Sequence, residues 1–461
     1  MNLWSAASNP SYNTIMAPEQ KNEFGSSFKP ADKSRRDFIK TSSAAVGGIL
    51  AAPLILGTKA SAAPGDTLKV GLIGCGGRGT GAASQALNAD PNVVLTAMGD
   101  LFPDHLSAKL DVLKKQAGIG DRVQVPESNR FIGFDAYKQV IASGVDVVIL
   151  ATPPGFRPVH FKAAVEANKH VFIEKPMATD APGLRSIMAS VEESKKRNLA
   201  VVAGFCWRYS TPERAIFEKV HEGAIGDIRT LYGTYNTGSL WSFPRKEGWG
   251  DLEFTLRNWL YYTWLSGDHI AEQAIHALDW MAWAMKDVPP LRAIGHGGRQ
   301  VRTDPIYGNV YDHFAVTYEY PENVRGFLFS RQQTNCANDN SCTMYGTKGI
   351  AHELGFNGAP FIKGENAWRY KKGEHPDIDM YQIEHNEFFA SIRSGNHINN
   401  GDRMAKSTLK AIMGRMAAYT GKEITWDMAL NSQENLFPAE LSWDKPMPVP
   451  PVAMPGVTPF I

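Results

Sequence analysis

Short apolar runs alternate with stretches of helical periodicity from residue 66 onward. The runs of strand length lie at 68–73, 93–100, 145–154, 170–176 and 198–205. Segments with helical spacing separate them, for example 80–87 and 160–168. Apolar strands that alternate with helices predict a parallel, doubly wound sheet, whose ligands bind beyond the carboxyl ends of the strands.

The second half of the chain has a different pattern. Segments 311–320, 324–333 and 341–350 have the composition of successive strands, and helical periodicity returns at 378–420. With 461 residues, of which 43% are hydrophobic, the chain is long enough to divide into two domains with large cores. We therefore expect a second α/β domain after the doubly wound one.

The stretch 266–280, SGDHIAEQAIHALDW, predicts an amphipathic helix with Asp268 as its N-cap. At about 100° per residue, its polar side chains share one stripe and its apolar ones the opposite face. The polar stripe contains Asp268, His269, Glu272, His276 and Asp279. Such a stripe suits a metal site, an acid/base site or the polar side of a packed helix, and the local sequence leaves these three open.

Charge and cysteine content narrow the classes of partner. Lys and Arg number 48 against 47 Asp and Glu, so no basic field attracts nucleic acid or an anionic membrane. The 4 cysteines are too few for a disulfide framework in a chain of this length. We expect no nucleic-acid partner and no dependence of the fold on oxidation.

The N-terminal segment predicts an export signal. The sequence SRRDFIK at 34–40 pairs Arg35 with Arg36, and a Gly/Ala-rich apolar run with Ala-Ser-Ala at 60–62 follows. We interpret 34–62 as a twin-arginine signal peptide after a disordered leader at 1–33, which predicts contact with the twin-arginine machinery and a periplasmic location. Glycines and a proline interrupt the apolar run, so no membrane span is expected in the mature form. The alternative is a disordered basic leader with a chance arginine pair.

A glycine-rich turn follows the first strand and predicts a dinucleotide site. The sequence after residue 73 is Gly74, Cys75, Gly76, Gly77, Arg78 and Gly79, which is the pattern G-x-G-x-x-G before a helix. Its glycines permit a tight turn and a close approach of pyrophosphate to the backbone. Asp100 ends the second strand, where an acid accepts from ribose hydroxyls and repels a 2′-phosphate. The cofactor predicted is NAD rather than NADP.

Four more residues lie at the carboxyl ends of predicted strands, where the cofactor of such a sheet binds. They are Thr152 and Pro153 after one strand, and Glu174 and Lys175 after the next.

These motifs together resemble one known family. GLIGCGGRG, ATPP before a helix with His160, EKPMA, and the stretch with His276 are similar to the Gfo/Idh/MocA oxidoreductases. The resemblance covers about residues 66–440. It implies an N-terminal Rossmann domain at 66–203 and a C-terminal α/β domain at 204–440 with a large, mostly antiparallel sheet for substrate and oligomer contacts. A Pro-rich tail at 441–461 remains, and a homodimer or homotetramer is implied.

The resemblance also implies the chemistry. Lys175 is placed near the nicotinamide, His160 near the cofactor, and His276 is the acid/base group, with Glu272 where the family usually has Asp. Substrate contacts are implied at Trp207 and Arg208. The polar stripe, apart from the resemblance, suggests Asp268 and His269 as further substrate contacts, and Asp279 fits a structural acid as well as a functional one. The loop 239–250 fits either a lid over sugar or an oligomer contact.

Three functions compete on this basis. The first is oxidation of a secondary hydroxyl of a sugar or glycoside by tightly bound NAD, with C3 as the favoured position. The second is an NAD-dependent glycosidase that oxidises C3 transiently with no net redox change. The third is a catalytically inactive sugar-binding protein. A zinc site on His269, Glu272 and His276 is spaced acceptably, but a nearby lysine and nicotinamide compete with a dication, so no metal is expected.

Overall fold

The first alternating segments form a six-stranded sheet in the computed structural model, which describes residues 65–373, 376 and 378–461. Its strands are β1 Leu68–Ile73, β2 Val93–Asp100, β3 Arg130–Ile132, β4 Val147–Leu150, β5 His170–Ile173 and β6 Val201–Ala203. They run in the order β3-β2-β1-β4-β5-β6, and every neighbouring pair is parallel. The predicted doubly wound parallel sheet is confirmed.

Helices connect these strands and cover the sheet. They are α1 Gly77–Ala89, α2 Pro103–Lys115, α3 Ala136–Ala142, α4 Arg157–Glu166 and α5 Ala181–Lys196. The chain passes from β1 outward to β2 and β3, then returns to place β4 on the other side of β1. This reversal opens a crevice between the carboxyl ends of β1 and β4, which is where such sheets bind ligands.

A nine-stranded sheet forms the second domain. Its strands are β7 Ile228–Thr237, β8 Arg292–Gly298, β9 His313–Glu319, β10 Arg325–Gln332, β11 Asp339–Gly346, β12 Gly349–Glu353, β13 Phe361–Gly364, β14 Trp368–Arg369 and β15 Ile424–Thr425. Their order is β14-β13-β12-β11-β7-β10-β9-β8-β15. Within the described residues β7 and β10 make its one parallel pair, which confirms the expected large, mostly antiparallel sheet.

The helices of this half are α6 Thr211–His221, α7 Asp251–Arg257, α8 Thr263–Ser266, α9 His269–Glu272, α10 Ile275–Ala284, α11 Met380–Ser394, α12 Gly401–Thr420 and α13 Trp426–Asn431. The long helix α12 packs against β8, α5 and α10, and α11 packs against α1. Because α11 and α12 both contact helices of the first domain, the two sheets share one hydrophobic core.

One sequence-based strand boundary is wrong. The segment 341–350 is not one strand, because it contains the end of β11 up to Gly346, a hairpin turn, and the start of β12 at Gly349. A side chain at Gly349 would place its Cβ 2.5 Å from the carbonyl oxygen of Lys363. The helices expected at 378–420 are present as α11 and α12, which are separated where the chain leaves helical geometry at Gly395.

The predicted amphipathic helix at 266–280 is also wrong. It is divided at Gln273 and Ala274 into the short α9 and the longer α10. Three polar members of the predicted stripe are buried: Asp268, His269 and Asp279 are 0%, 4% and 2% exposed. They meet different parts of the protein, because Asp268 accepts from Tyr311 and Asp279 from Arg208. Asp268 does cap the first helix, because its carboxylate accepts from the backbone N–H of His269. Tertiary contacts within the protein, which the local sequence left open, are what these buried members of the stripe meet.

The predicted leader and signal peptide at 1–62 lie outside the described residues. The Pro-rich tail lies on the second domain, where the Tyr311 hydroxyl donates to the carbonyl of Ala453 at 2.9 Å and Met447 N–H donates to Asp251 at 3.1 Å. All four cysteines are free thiols. Among the helices of the described range, none has the length and apolar character needed to cross a membrane.

Candidate active site

The glycine-rich turn after β1 has the geometry of a phosphate cradle. Gly74 has φ +96°, and a Cβ there would lie 2.7 Å from the backbone carbon of Ala151. A Cβ on Gly79 would lie 2.0 Å from the Gly74 carbonyl oxygen, so this position admits only glycine. At Gly76 and Gly77, in contrast, a Cβ would meet nothing within 4 Å. This open space faces the N-terminus of α1, whose first N–H groups have no intrahelical partner and suit an anion.

A cavity of about 500 Å³ opens from this turn beyond the ends of β1, β2 and β4. Most of the predicted cofactor residues lie in its wall, namely Gly74, Cys75, Gly76, Gly77, Arg78, Gly79, Asp100, Thr152, Pro153 and His160. Glu174 and Lys175 do not line it. The cradle, the free N–H groups and the acid at the end of β2 together fit a dinucleotide.

Asp100 lies where the ribose of such a cofactor would bind. Its carboxylate accepts from the backbone N–H of Cys75 at 2.6 Å and of Phe102 at 2.9 Å. Burial raises the pKa of Asp100, and these two N–H donors act in the opposite direction. Each oxygen keeps lone pairs for hydroxyl donors. Asp100 therefore holds the turn in place in addition to the ribose role predicted for it.

Cys75 and Glu174, both predicted to bind the cofactor, have side chains that contact other parts of the protein. The Cys75 side chain is fully buried, with its Sγ 3.5 Å from the carbonyl oxygen of Gly99, and burial raises the pKa of its thiol. The Glu174 carboxylate forms an ion pair with Arg78, whose guanidinium also lies 4.6 Å from the centre of the Tyr381 ring. Glu174 thus anchors Arg78 at the cradle.

His160 is held as a neutral ring in the cavity wall. Thr152 Oγ1 lies 3.2 Å from its Nδ1, and the ring stacks on Tyr137 with centroids 4.3 Å apart. Burial, and then the charge of Arg157, lower the pKa of His160 to about 3. A ring that stays neutral at physiological pH can stack or accept a hydrogen bond but does not repel a cationic nicotinamide.

Lys175 and Glu272 meet across the two domains. Lys175 follows β5 of the first sheet, and its Nζ donates to the backbone carbonyl of Glu272 and to Oε1 of the same residue at 3.1 Å. The two side chains are 14% and 16% exposed, so the pair is largely shielded from water. The structure thus gives Glu272 a lysine partner, whereas the sequence left its partner open between His276 and a substrate hydroxyl.

His276 lies one turn of chain beyond Glu272, at the start of α10. It is 8% exposed, and its Nδ1 has no hydrogen-bond partner among the described residues. Burial, followed by the charge of Lys175, lowers the pKa of His276 well below its usual value, while Asp279 raises it. The imidazole is therefore a neutral, unprotonated base near a lysine cation. This combination can accept a proton from a hydroxyl whose alkoxide the lysine stabilises.

The remaining predicted substrate residues are engaged within the protein. Arg208 forms a buried ion pair with Asp279, at 2.8 and 2.9 Å, and a second one with Asp287. Trp207 is 5% exposed and packs against Trp280 with ring centroids 5.0 Å apart. Arg208 and Asp279 therefore form a buried ion pair within the protein. Trp207 is part of the hydrophobic core beside α10.

Asp268 and His269 belong to another buried network. The Asp268 carboxylate accepts from Tyr311 N–H at 2.7 Å and from the Tyr419 hydroxyl at 2.6 Å, while His269 Nδ1 lies 3.1 Å from it. The Nε2 of the same ring lies 3.2 Å from Ser330 Oγ. The pKa of Asp268 is lowered although burial raises it, because these donors stabilise the charged form. Both ring nitrogens of His269 are thus occupied by protein atoms.

The three-ligand zinc alternative does not match this arrangement. His269 bonds to Asp268 and Ser330, and Glu272 pairs with Lys175. In the part of the chain that the structure describes, no group of three or more His, Cys, Asp or Glu residues is arranged to hold a metal ion.

Sequence reasoning missed two further parts of the site. Tyr235, on β7, stacks on His276 with centroids 6.1 Å apart. Five residues of the second domain line the dinucleotide cavity, namely Trp241, Phe243, Leu256, Arg257 and Trp259. The density of aromatic residues in the loop 239–250 was a signal, but nothing in the sequence showed which cavity the loop covers.

Comparisons with known proteins agree with this architecture. The model described as "Oxidoreductase family, NAD-binding Rossmann fold" matches residues 68–203, and the one described as "GFO/IDH/MocA C-terminal domain" matches residues 214–352. Together they span more than half of the chain.

Curated relatives match less than half of this chain. A glycosyl hydrolase family 109 protein from Streptomyces coelicolor is 28% identical over 171 residues, which is 37% of this chain and 34% of that protein. The matched regions cover between 34% and 44% of the first three such relatives.

Solved structures match over a longer stretch. An aldose-aldose oxidoreductase from Caulobacter crescentus, complexed with glycerol, is similar with a TM-score of 0.61 and 18% identity, covering 78% of this chain and 99% of that one. A levoglucosan dehydrogenase in complex with NADH and levoglucosan has a TM-score of 0.59 at 18% identity with the same coverage. At this identity the likeness establishes the fold.

Proposed function

The chain belongs to the Gfo/Idh/MocA family, with its NAD-binding Rossmann fold, and from this premise we propose that it oxidises a secondary hydroxyl of a sugar or glycoside. The position proposed is C3 of a pyranose, and the reaction is reversible. The observation that carries the proposal is the convergence of Lys175, Glu272 and His276 beside the cofactor sheet.

Each residue has a distinct part in the proposed step. The neutral His276 takes the hydroxyl proton, because burial and Lys175 keep its pKa low and its Nδ1 has no partner among the described residues. The Lys175 ammonium stabilises the oxygen as it becomes an alkoxide. Glu272 holds Lys175 in position through both its carbonyl and its carboxylate. Bound NAD supplies the hydride acceptor at nicotinamide C4.

A substrate panel tests the proposal. The purified protein, loaded with NAD, is offered glycosides, free pyranoses, polyols and non-carbohydrate alcohols, and the absorbance of reduced nicotinamide is followed. We expect pyranosides or pyranoses to reduce the bound NAD, and we expect mass spectrometry to identify a 3-keto sugar as the product. Reaction with non-carbohydrate alcohols or amines alone would contradict the proposed substrate class. No reaction with any substrate, together with stoichiometric sugar binding, would favour the inactive sugar-binding alternative.

A second function is favoured by the names of the relatives, several of which are glycosyl hydrolase family 109 proteins. In this alternative the same residues take the proton of the C3 hydroxyl while bound NAD would accept the hydride from C3, and the resulting ketone makes the C2 hydrogen acidic. Loss of that proton expels the C1 substituent, which leaves as an alcohol after protonation. Water then adds across the double bond and the hydride returns to C3, so the net reaction is hydrolysis.

The two functions differ in what accumulates. A glycosidase releases one aglycone per sugar with no lasting rise in nicotinamide absorbance, and in heavy water the product carries deuterium at C2. An oxidoreductase leaves a ketosugar, and its cofactor stays reduced until a second substrate reoxidises it. A chromogenic glycoside followed at both the aglycone and the nicotinamide wavelengths separates them in one experiment.

We also propose that the protein is exported folded to the periplasm and carries its cofactor with it. The arginine pair at Arg35 and Arg36 supports export, and cofactor loaded in the cytoplasm removes the need for free NAD outside. Export of the native protein is expected to yield a mature chain that begins near Ala63. Export of an Arg35→Lys/Arg36→Lys variant is expected to fail. Unchanged export of that variant would contradict the assignment. Light scattering of the mature protein tests the expected homodimer or homotetramer.

A further inference from the structure

Two neighbouring residues interrupt the buried segment that contains His276. Throughout residues 260–282 every residue is buried except Glu272 and Gln273, which are both partly exposed and lie at the joint between α9 and α10. Glu272 contacts Lys175, and the backbone carbonyl of Gln273 accepts from the N–H of His276 at 3.2 Å. The exposed surface of Gln273 therefore belongs to the same site as these three residues.

The side chain of Gln273 is held through its amide oxygen. Its Oε1 accepts from the Nε2 of Gln332 at 2.6 Å and from the hydroxyl of Thr237 at 3.4 Å. Gln332 ends β10 and Thr237 ends β7, so both donors lie at the carboxyl ends of two neighbouring parallel strands. Within the described residues no protein atom accepts from the Nε2 of Gln273, and solvent reaches this nitrogen.

A buried charge decides the orientation of both amides. Arg302 is 2% exposed, and its guanidinium donates to the Oε1 of Gln332 and to the carbonyl of Tyr311. Because an arginine can only donate, Gln332 turns its oxygen toward Arg302 and its nitrogen toward Gln273. Gln273 then turns its oxygen toward Gln332, since two N–H groups that face each other would both stay unpaired. Arg302 and Gln332 thus fix Gln273 as a hydrogen-bond donor toward the site.

A donor fixed in this way suits an oxygen next to the one that reacts. The proposed reaction uses Lys175 and His276 at the reacting hydroxyl, and Gln273 lies three residues before His276. In a pyranose oxidised at C3, the neighbouring oxygens are the hydroxyls on C2 and C4, which can accept from an amide N–H. A donor that is already oriented binds such an oxygen with little further loss of conformational entropy.

We propose that the Nε2 of Gln273 donates to a hydroxyl on a carbon adjacent to the oxidised one, and that Gln332 is the positioning residue that orients it. This inference rests on the proposed function, which defines the reacting carbon. Its consequence is a preference for sugars with two neighbouring hydroxyls over those in which the adjacent carbon has no oxygen. A site built around such a donor rejects the deoxy analogue, because the donor is then left unpaired.

Deoxy sugars test the contact. The NAD-loaded full chain is offered methyl gluco-, galacto- and mannopyranosides, each with its 2-deoxy and 4-deoxy analogue, and kcat/KM and the dissociation constant are both measured. In the native protein, removal of one of the two hydroxyls should lower kcat/KM about 10-fold, which is the effect of one hydrogen bond. Gln273→Leu should lower kcat/KM about 10-fold for the parent sugar and should no longer distinguish it from that deoxy analogue.

Gln332→Glu tests the orientation of the amide. A glutamate at this position still accepts from Arg302, but it offers an oxygen instead of an N–H to Gln273. The Gln273 amide should therefore turn over and present its own oxygen to the sugar. A fluorine in place of the contacted hydroxyl can accept a hydrogen bond but cannot donate one. Relative to the parent sugar, the deoxyfluoro analogue should thus bind about 10-fold more weakly to Gln332→Glu than to the native protein, a change that a purely structural role of Gln273 would not produce.

Gln382→Leu is the matched control. Gln382 is a partly exposed glutamine whose amide donates to the carbonyl of Gln85 at 3.0 Å and to Asn386 at 2.8 Å. Its removal should leave the ratio of parent to deoxy sugar at the native value. Thermal melting shows whether each variant is folded. Gln273→Asn, which keeps an amide but shortens its reach, should also lose the discrimination and covers the case in which Gln273→Leu does not fold.

The outcomes separate this inference from the proposed oxidation. Native protein that oxidises a parent sugar and both of its deoxy analogues equally well would overturn the inference and leave the oxidation intact, as would Gln273 variants that discriminate like the control. A protein that binds the pyranosides with the expected discrimination, measured by the dissociation constants, but never reduces NAD would support the inference and contradict the oxidation. Failure to bind any of the pyranosides would overturn both.

Discussion

Lys175 and Glu272, which lie 97 residues apart in sequence, are joined by two hydrogen bonds from one ammonium group. Nζ of Lys175 donates both to the backbone carbonyl of Glu272 and to its carboxylate, the latter at 3.1 Å. The first bond survives any change of the Glu272 side chain, whereas the second depends on it. Lys175 is therefore held by two separate acceptors of one residue, of which only the carboxylate is removed by a side-chain substitution.

This division predicts unequal effects of substitution. Lys175→Met is expected to lower turnover about 10² to 10³-fold, because it removes the group that stabilises the alkoxide. Glu272→Gln is expected to lower turnover only about 10-fold, because the backbone carbonyl of residue 272 still accepts from Lys175. The substitution removes the charge of one acceptor and leaves the ammonium group in place. Glu272→Asp, the residue usual in the family, serves as the matched control and should retain most activity. Steady-state kcat with the reactive sugar measures all three; equal losses in Lys175→Met and Glu272→Gln would contradict the scheme.

His276 predicts a pH dependence with a definite sign. A base works when it is unprotonated, and burial together with Lys175 lowers the pKa of His276 well below its usual value. Activity is therefore retained as pH falls through the ordinary histidine range and is lost only at lower pH. The measurement is the pH profile of kcat/KM for sugar oxidation, and an acid limb at or above the pKa of a free histidine would be inconsistent with this assignment.

Substitution of His276 is expected to affect turnover of the sugar but not binding of the nucleotide. His276→Ala is expected to reduce turnover by ~10² to 10⁴ while leaving the nucleotide bound, because the imidazole acts in proton transfer. Nucleotide content after denaturation, measured beside kcat, distinguishes this from a collapse of the site. Full activity in His276→Ala would remove His276 from the mechanism.

The parts of the site that the sequence predicted are those encoded locally. The G-x-G-x-x-G turn from Gly74 to Gly79 and the acid Asp100 at the end of β2 follow from short-range patterns, because a tight turn and a helix N-terminus need specific neighbours only. The large second sheet was predicted by resemblance, and even so its central strand β7 was missed in the sequence pattern.

Contacts over long sequence distances were not predictable in the same way. The stripe at 266–280 was expected to face one environment, but Glu272 meets Lys175 and Asp279 meets Arg208, which is 71 residues away. Helical periodicity identifies which residues share a face, and tertiary packing decides what each face meets. Trp241 and Phe243 of the second domain, which line the dinucleotide cavity, lie in a loop without periodicity, so their place in its wall was visible only in the structure.

The position of Asp100 leads us to expect that the bound nucleotide is NAD rather than NADP. Its carboxylate accepts from two backbone N–H groups and carries the charge that opposes a 2′-phosphate. Asp100→Asn keeps an acceptor oxygen and removes the charge, so it should weaken the preference for NAD over NADP; Asp100→Ala should in addition reduce the total nucleotide bound. The ratio of NAD to NADP released by denatured, extensively washed protein measures this. A native protein that already carries mainly NADP would show that Asp100 has been misassigned.

Arg208 predicts a large effect on stability and a small one on chemistry. Its guanidinium is 3% exposed and pairs with Asp279, which is 2% exposed and accepts a further bond from Ser407. Arg208→Ala leaves a buried carboxylate without its cation, so the free energy of unfolding should fall by about 3–5 kcal/mol. Arg229→Ala is the matched control, because the Arg229–Asp227 pair is 56% and 78% exposed and such pairs contribute about 1 kcal/mol or less. Both are measured by urea denaturation followed by fluorescence. If Arg208 instead served mainly to bind sugar, its removal would raise KM while the midpoint of denaturation stayed at that of the Arg229→Ala protein.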